Sequence, residues 1–228
     1  RNKMRDHNRL ISFLLVVAAF AISIVAFPHL PATVPTHWGI SGKPDHFGSR
    51  IQGAFLLPVV MLATWFIVSF VPRYDRSLFI KYDERQSDES TVRPAYNVVI
   101  VVVLASMLAI HAFAITSSLG LVAQQKLPLL LALIISVGMV LIGNYLPQVT
   151  RRNAFIGVRF PWAYASEEVW RRTQRAGGYG MVAAGILGMI GAIAFPQSPV
   201  KPLFAALLAQ LIVVAIYSYY LAHSARVP

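Results

Sequence analysis

The sequence predicts an all-α polytopic membrane protein, a bundle of six transmembrane helices with both termini in the cytoplasm. Six apolar stretches, 10–27, 52–71, 97–119, 128–149, 178–195 and 202–222, each approach the roughly 20 residues that a helix needs to cross about 30 Å of hydrocarbon. In lipid every backbone amide must be satisfied within its own segment or in a closed barrel, and runs of this length suit helices, because barrel strands read as about 10 alternating residues. Of the 20 Lys and Arg, 16 fall in the amino-terminal tail, the second loop, the fourth loop and the carboxyl tail, and 4 in the other loops. That bias marks the cytoplasmic side. The 57% hydrophobic and 13% charged residues are far from the mix of a soluble domain, and 228 residues hold six spans as one membrane domain and little else. The net charge of +11 is therefore topological and does not point to nucleic acid. With no cysteine, disulfides, thiolate metal sites and cysteine nucleophiles are ruled out.

The first run follows Arg1, Lys3, Arg5 and Arg9 as a secretory signal would. It is longer than a usual signal core, and Val25-Ala26-Phe27-Pro28 lacks a small-x-small cleavage site, so it is read as a retained span. The outer loop that follows, 28–51, holds four prolines and three glycines, a density that excludes a helix and favours polyproline and turn conformations. His37, Trp38 and Asp45 lie in it as candidate ligand-binding residues. The alternative is a structured cap with Trp38 and Phe47 in the interfacial aromatic belt. His29, His37, His46 and Asp45 are spaced too widely for a usual structural zinc loop, and the favoured reading is that His37 and Asp45 hold the loop together by hydrogen bonds or contact a ligand. No metal and no cofactor is expected.

The second loop, 72–96, mixes five basic with five acidic residues and reads as a solvated connection. His111 in span three, Ser136 in span four and Gln210 in span six are polar residues expected at similar depth, with a neutral His111 pairing with Gln210. An intramembrane ionisable group is also a functional candidate by default. The fourth loop, 150–177, carries Ser166 as a helix N-cap, then Glu167 and Glu168, then Arg171, Arg172 and Arg175, the charge order that a short helix ending near Gly177 and Gly178 favours. Glu167 with Arg171 and Glu168 with Arg172 are expected pairs, and the two glycines either end the helix or link it to span five. In span five, Gly180, Ala184 and Gly188 form a small-residue face for close packing, in the bundle, in a homo-oligomer or in a larger complex.

Two segments resemble the SdpI family of bacterial membrane proteins, whose named members protect cells from a secreted antimicrobial peptide. The first is Pro31 to Asp45, with Val34-Pro35-Thr36-His37-Trp38 followed by Gly42-Lys43-Pro44-Asp45. It looks like the short domain of unknown function often found at the amino end of such proteins. The second runs from Arg152-Asn153-Ala154-Phe155-Ile156-Gly157-Val158-Arg159-Phe160-Pro161-Trp162 to Glu167-Glu168-Val169-Trp170 and Gly177-Gly178. It resembles the family's Asn-x-x-x-Gly-Ile-Arg-Thr-Pro-Trp signature, with Val158 and Phe160 in place of the commoner Ile and Thr. The resemblance implies immunity to, or sensing of, a peptide toxin outside a bacterial plasma membrane. It also implies a cytoplasmic regulator docking on Asn153, Gly157, Arg159, Pro161, Trp162 and Trp170. The same residues read physically as an interfacial loop that inserts Trp162 and Trp170 at the inner membrane surface and orients span five. A carrier of a small or lipidic solute, or an accessory subunit, is the alternative. The halves show no evident repeat, and no hydrolase triad, phosphate loop or zinc-protease motif supports an enzyme.

Overall fold

The computed structural model describes residues 2–39, 44–74, 89–150, 152 and 156–224. Among the described residues six helices are long and apolar enough to cross a membrane: α1 (Asn2–Ala26), α2 (Arg50–Tyr74), α3 (Glu89–Ser118), α4 (Leu127–Tyr145), α5 (Glu167–Ala194) and α6 (Val200–Ser224). They pack as two groups of three. α1, α2 and α3 surround Val16, Ala19, Met61, Ile100 and Leu104, while α4, α5 and α6 surround Ala132, Met139, Ala184, Ala192 and Leu203. The groups meet where α3 lies against α4, with Ser106 and Val102 beside Gly138.

The proline-rich loop departs from the polyproline expectation. It is an antiparallel hairpin of β1 (Thr33–Trp38) and β2 (Pro44–Ser49). Thr, Val, His, Trp and Phe favour an extended, half-buried backbone. The prolines sit where a sheet tolerates a missing N–H: Pro44 is the first residue of its strand and Pro35 borders a register irregularity. Val34, fully buried, anchors the hairpin in a cluster with Ala26, Leu30, Ala54 and Ile115. A Cβ at Gly53 would collide with the Val34 side chain, so only glycine lets the hairpin seat on α2. The chain enters α2 through a capping box: Ser49 N–H donates to Gln52 Oε1 (2.9 Å) and Gln52 N–H to Ser49 Oγ (3.3 Å).

Helix α5 decides between the two readings of Gly177 and Gly178. It runs unbroken through Gly177 and Gly178, so the short helix and span five are one element. Ser166 caps it as expected, accepting from Val169 N–H (3.1 Å). Arg171 and Arg172 both bind Glu168, the latter at 2.6 Å, so Glu168 takes the cation expected for Glu167. The glycines cause no break because neighbouring helices occupy the space their missing side chains leave. A Cβ on Gly178 would lie 2.6 Å from the Gly143 carbonyl oxygen, and one on Gly185 would lie 2.7 Å from that of Ser136, both on α4. On the other side, a Cβ on Gly180 or Gly188 would press on Gln210 (2.7 Å) or Leu203 (2.8 Å) of α6. The small face is thus consumed within the chain, with Ala184 buried at 2% exposure. Ala184 and Gly188 are buried and Gly180 is half-buried between α4 and α6 of the same chain.

Candidate functional site

At the hairpin end, Asp45 and Phe47 alternate with His46 and Gly48 along β2 and so share the face opposite the one that carries Gly48, the partner of buried Val34. His37 Nδ1 and Asp45 Oδ1 lie 2.6 Å apart, with their side chains 69% and 51% exposed. Phe47 is 57% exposed, whereas Trp38 is half-buried with its indole N–H enclosed and unpartnered. The structure brings His37 and Asp45 together. Phe47 joins them as the outward aromatic, and the alternation of β2 was the signal for it. Among the described residues no group of three His, Asp or Glu side chains is close enough to hold a metal.

Directly beneath the hairpin lies His111, 1% exposed. The expected partner was Gln210, and the structure gives Ser23 instead. Imidazole Nε2 is 2.9 Å from Ser23 Oγ on α1, which is itself 2.5 Å from the Ala54 carbonyl on α2 and 3.0 Å from that of Ala19. A hydroxyl has one proton, so if Ser23 donates to Ala54 it accepts from Nε2–H. The polar contact joins α1, α2 and α3 at the level where Ala54 supports Val34. Gln210 belongs to the other helix group, where its amide reaches the Gly177 carbonyl (3.5 Å), and Ser136 Oγ is buried facing Gly188 without a hydrogen-bond partner. Equal depth did not bring these groups together because each helix group closes on its own core.

A substitution series separates joining from a proton-dependent role. His111→Gln keeps a hydrogen-bonding group and is expected to fold and function as wild type. His111→Leu is expected to cost about 1 kcal/mol, the order of such contacts in membranes. The measurement is thermal unfolding of the purified proteins; a well-folded but inactive His111→Gln would sink the joining role.

At the opposite end, the segment before α5 is held by three clasps. Trp170 is fully buried and donates from Nε1 to the Val149 carbonyl (3.1 Å), its ring against Tyr164. Gln174, also fully buried, brackets Val158: Oε1 accepts from its N–H (2.7 Å) and Nε2 donates to its carbonyl (3.0 Å). Arg152 Nη1 donates to the Tyr164 carbonyl (3.0 Å). Gly157 has φ +128°, a conformation L side chains rarely adopt, and a Cβ there would meet Gln174 Oε1 at 2.5 Å. Trp162 follows Pro161 in a 3₁₀ turn, donates to Ser218 Oγ on α6 (2.8 Å) and stacks on Phe160. Trp170 is therefore neither a docking nor an interfacial residue, since protein encloses it on all sides. Arg159 and Pro161 are exposed and Trp162 is half-buried. Asn153 lies outside the described residues. Gln174 was missed because it stands in an arginine-rich run. Its spacing from Trp170 and Gly178, four residues each way, was the available signal that it shares their buried face.

Six membrane-crossing helices capped by a hairpin at one end and a clasped tryptophan loop at the other define a multi-pass helical membrane protein. Residues 14–62 match DUF1648, a domain of unknown function, and residues 149–220 match the SdpI/YfhL protein family. Over residues 149–220 the chain is thus similar to the SdpI/YfhL protein family. It is 25% identical over 178 residues to immunity protein SdpI of Bacillus subtilis (strain 168), covering 78% of each chain. It is 40% identical over 47 residues to the uncharacterized membrane protein YbgB of the same organism, 21% of this chain and 52% of that one. An uncharacterized protein of Archaeoglobus fulgidus is 28% identical over 74 residues, 32% of this chain and 40% of its own. No solved structure matches. These similarities support a membrane immunity-type protein.

Proposed function

We propose that this chain sits in a bacterial plasma membrane with both termini in the cytoplasm, and that it confers immunity to, or senses, a secreted antimicrobial peptide by binding it at the hairpin. One observation carries the reading: His37, Asp45 and Phe47 are exposed together on a hairpin whose opposite face is locked to α2 by Val34. A preformed surface of this kind loses little ordering entropy on binding. Trp38, half-buried, flanks the face. The 16 to 4 partition of Lys and Arg puts the hairpin outside. The clasped loop, with Arg159, Pro161 and Trp162 on its surface, then faces the cytoplasm, where a regulator docks. Similarity to immunity protein SdpI supplies the class of ligand.

The test uses a peptide-sensitive host that expresses the chain and is challenged with the secreted peptide of a cognate producer. An exposed side-chain pair contributes only about 0.2–1 kcal/mol, so His37→Ala and Asp45→Ala are expected to keep wild-type membrane abundance. Resistance should nonetheless fall, and most for Phe47→Ala. Resistance that falls only in step with abundance would show that these residues are merely structural. In the same cells Ser41→Cys is expected to react with an impermeant thiol reagent and Ser87→Cys is not; the reverse would overturn the sidedness. Both positions lie outside the described residues.

A further inference from the structure

The end opposite the hairpin carries an interaction surface that peptide recognition does not use. Two cross-links set the register of α6 against α5. Gln210 packs on Gly180 and reaches the Gly177 carbonyl, and Trp162, in the turn before α5, donates to Ser218. Ser218 lies eight residues beyond Gln210, about 12 Å at the α-helical rise. The same distance back along antiparallel α5 from Gly177 reaches the turn containing Arg171 and Arg172. Exposed arginines of α5 and aromatic residues of α6 therefore lie at one height.

That layer has two characters. Trp162 meets Tyr219 edge-on (5.5 Å), Tyr219 stacks on His223 (4.0 Å), and Tyr220 is exposed beside them. Arg171, Arg172 and Arg175 are exposed on α5, and Glu168 binds the first two, so the cluster keeps a net positive charge. Amphipathic rings and cations at one height suit the headgroup region, where rings rest on acyl chains and guanidinium groups meet phosphates. Because a guanidinium pairs with phosphate oxygens through two parallel hydrogen bonds, charge complementarity selects an anionic occupant.

We propose that Arg171, Arg175, Trp162, Tyr219 and His223 form a girdle that holds the headgroups of anionic phospholipids in the leaflet at this end. The inference stands independently of the peptide reading.

The full-length protein is reconstituted in nanodiscs of phosphatidylcholine with or without phosphatidylglycerol. The readout is the preference for spin-labelled phosphatidylglycerol over spin-labelled phosphatidylcholine in the lipid shell. Wild type is expected to prefer the anionic lipid, and the preference should fall with added salt as screening grows. Arg175→Gln should reduce it by about fivefold, the usual effect of one surface cation. Arg171→Gln should reduce it less, since Glu168 already offsets that charge. Lys201→Gln, at the hairpin end, should leave it unchanged, and inorganic phosphate added at constant ionic strength should not compete. Equal affinity for the two lipids, a preference that salt does not reduce in the unaltered protein, one that survives Arg171→Gln with Arg175→Gln, or displacement by inorganic phosphate would each overturn the proposal. The salt series needs no variant and decides even if the substitutions impair folding.

Discussion

Gly178→Leu is expected to abolish accumulation of the folded protein. A side chain there would grow into the Gly143 carbonyl (2.6 Å from the Cβ position) and the ring of Pro147 (2.6 Å), and neither can move aside. One is helix backbone and the other fixes the 3₁₀ turn that ends α4 (Leu146–Gln148). Relief requires α4 and α5 to separate, which also uncouples Gly143 and Gly185 from their close contacts. The cost is about 3 kcal/mol, the upper range for an overpacked core, and a large part of what keeps most domains folded. Ala183→Leu is the control: Ala183 is on the same helix but exposed, so the added side chain enters lipid. Fluorescence-detected size-exclusion of tagged protein would show a normal peak for Ala183→Leu and none for Gly178→Leu. A monodisperse Gly178→Leu peak would show that the two helices are not in backbone contact.

The second large effect is expected at Gln174. Its amide satisfies both backbone groups of Val158, and leucine would leave a buried donor and acceptor unpaired at about 1–3 kcal/mol each. Gln174→Glu separates the two bonds, because a carboxylate still accepts from Val158 N–H but repels its carbonyl oxygen. Limited trypsin digestion reports on the loop directly, since Arg152 and Arg159 flank the bracketed residue. Cleavage there should be fastest in Gln174→Leu, intermediate in Gln174→Glu and slowest in wild type. Equal rates in all three would mean that Trp170 and Arg152 alone hold the loop.

Both effects concern positions whose surroundings the chain reveals only when folded. Gly178 reads in sequence either as a helix end or as a packing position, because glycine is the worst ordinary helix former and also permits the closest helix approach. Apposition to Gly143 decides for packing. Gln174 reads as one more polar residue in a cytoplasmic run, yet its four-residue spacing from Trp170 and Gly178 puts it on the buried side. His111 was legible as a buried polar residue, but its partner was not: Ser23 is 88 positions away, and no periodicity encodes which helix lies opposite. The hairpin was half legible. Proline density excluded a helix, but only the pocket over Gly53 and Ala54 gives two short strands the packing that an isolated pair lacks in water.

Span number, helical class, the Ser166 cap and the family resemblance followed from the sequence by itself, because each depends on local chemistry. Twenty apolar residues must be helical in lipid wherever they sit, and a serine before two glutamates caps a helix whatever surrounds it. The tertiary structure alone decided which polar groups meet, which tryptophan is enclosed and which face of α5 is occupied. Those outcomes depend on how six helices with nearly uniform apolar surfaces choose neighbours. In lipid that choice is made by van der Waals fit between small residues and by a few hydrogen bonds, and such fit exists only between surfaces already brought together.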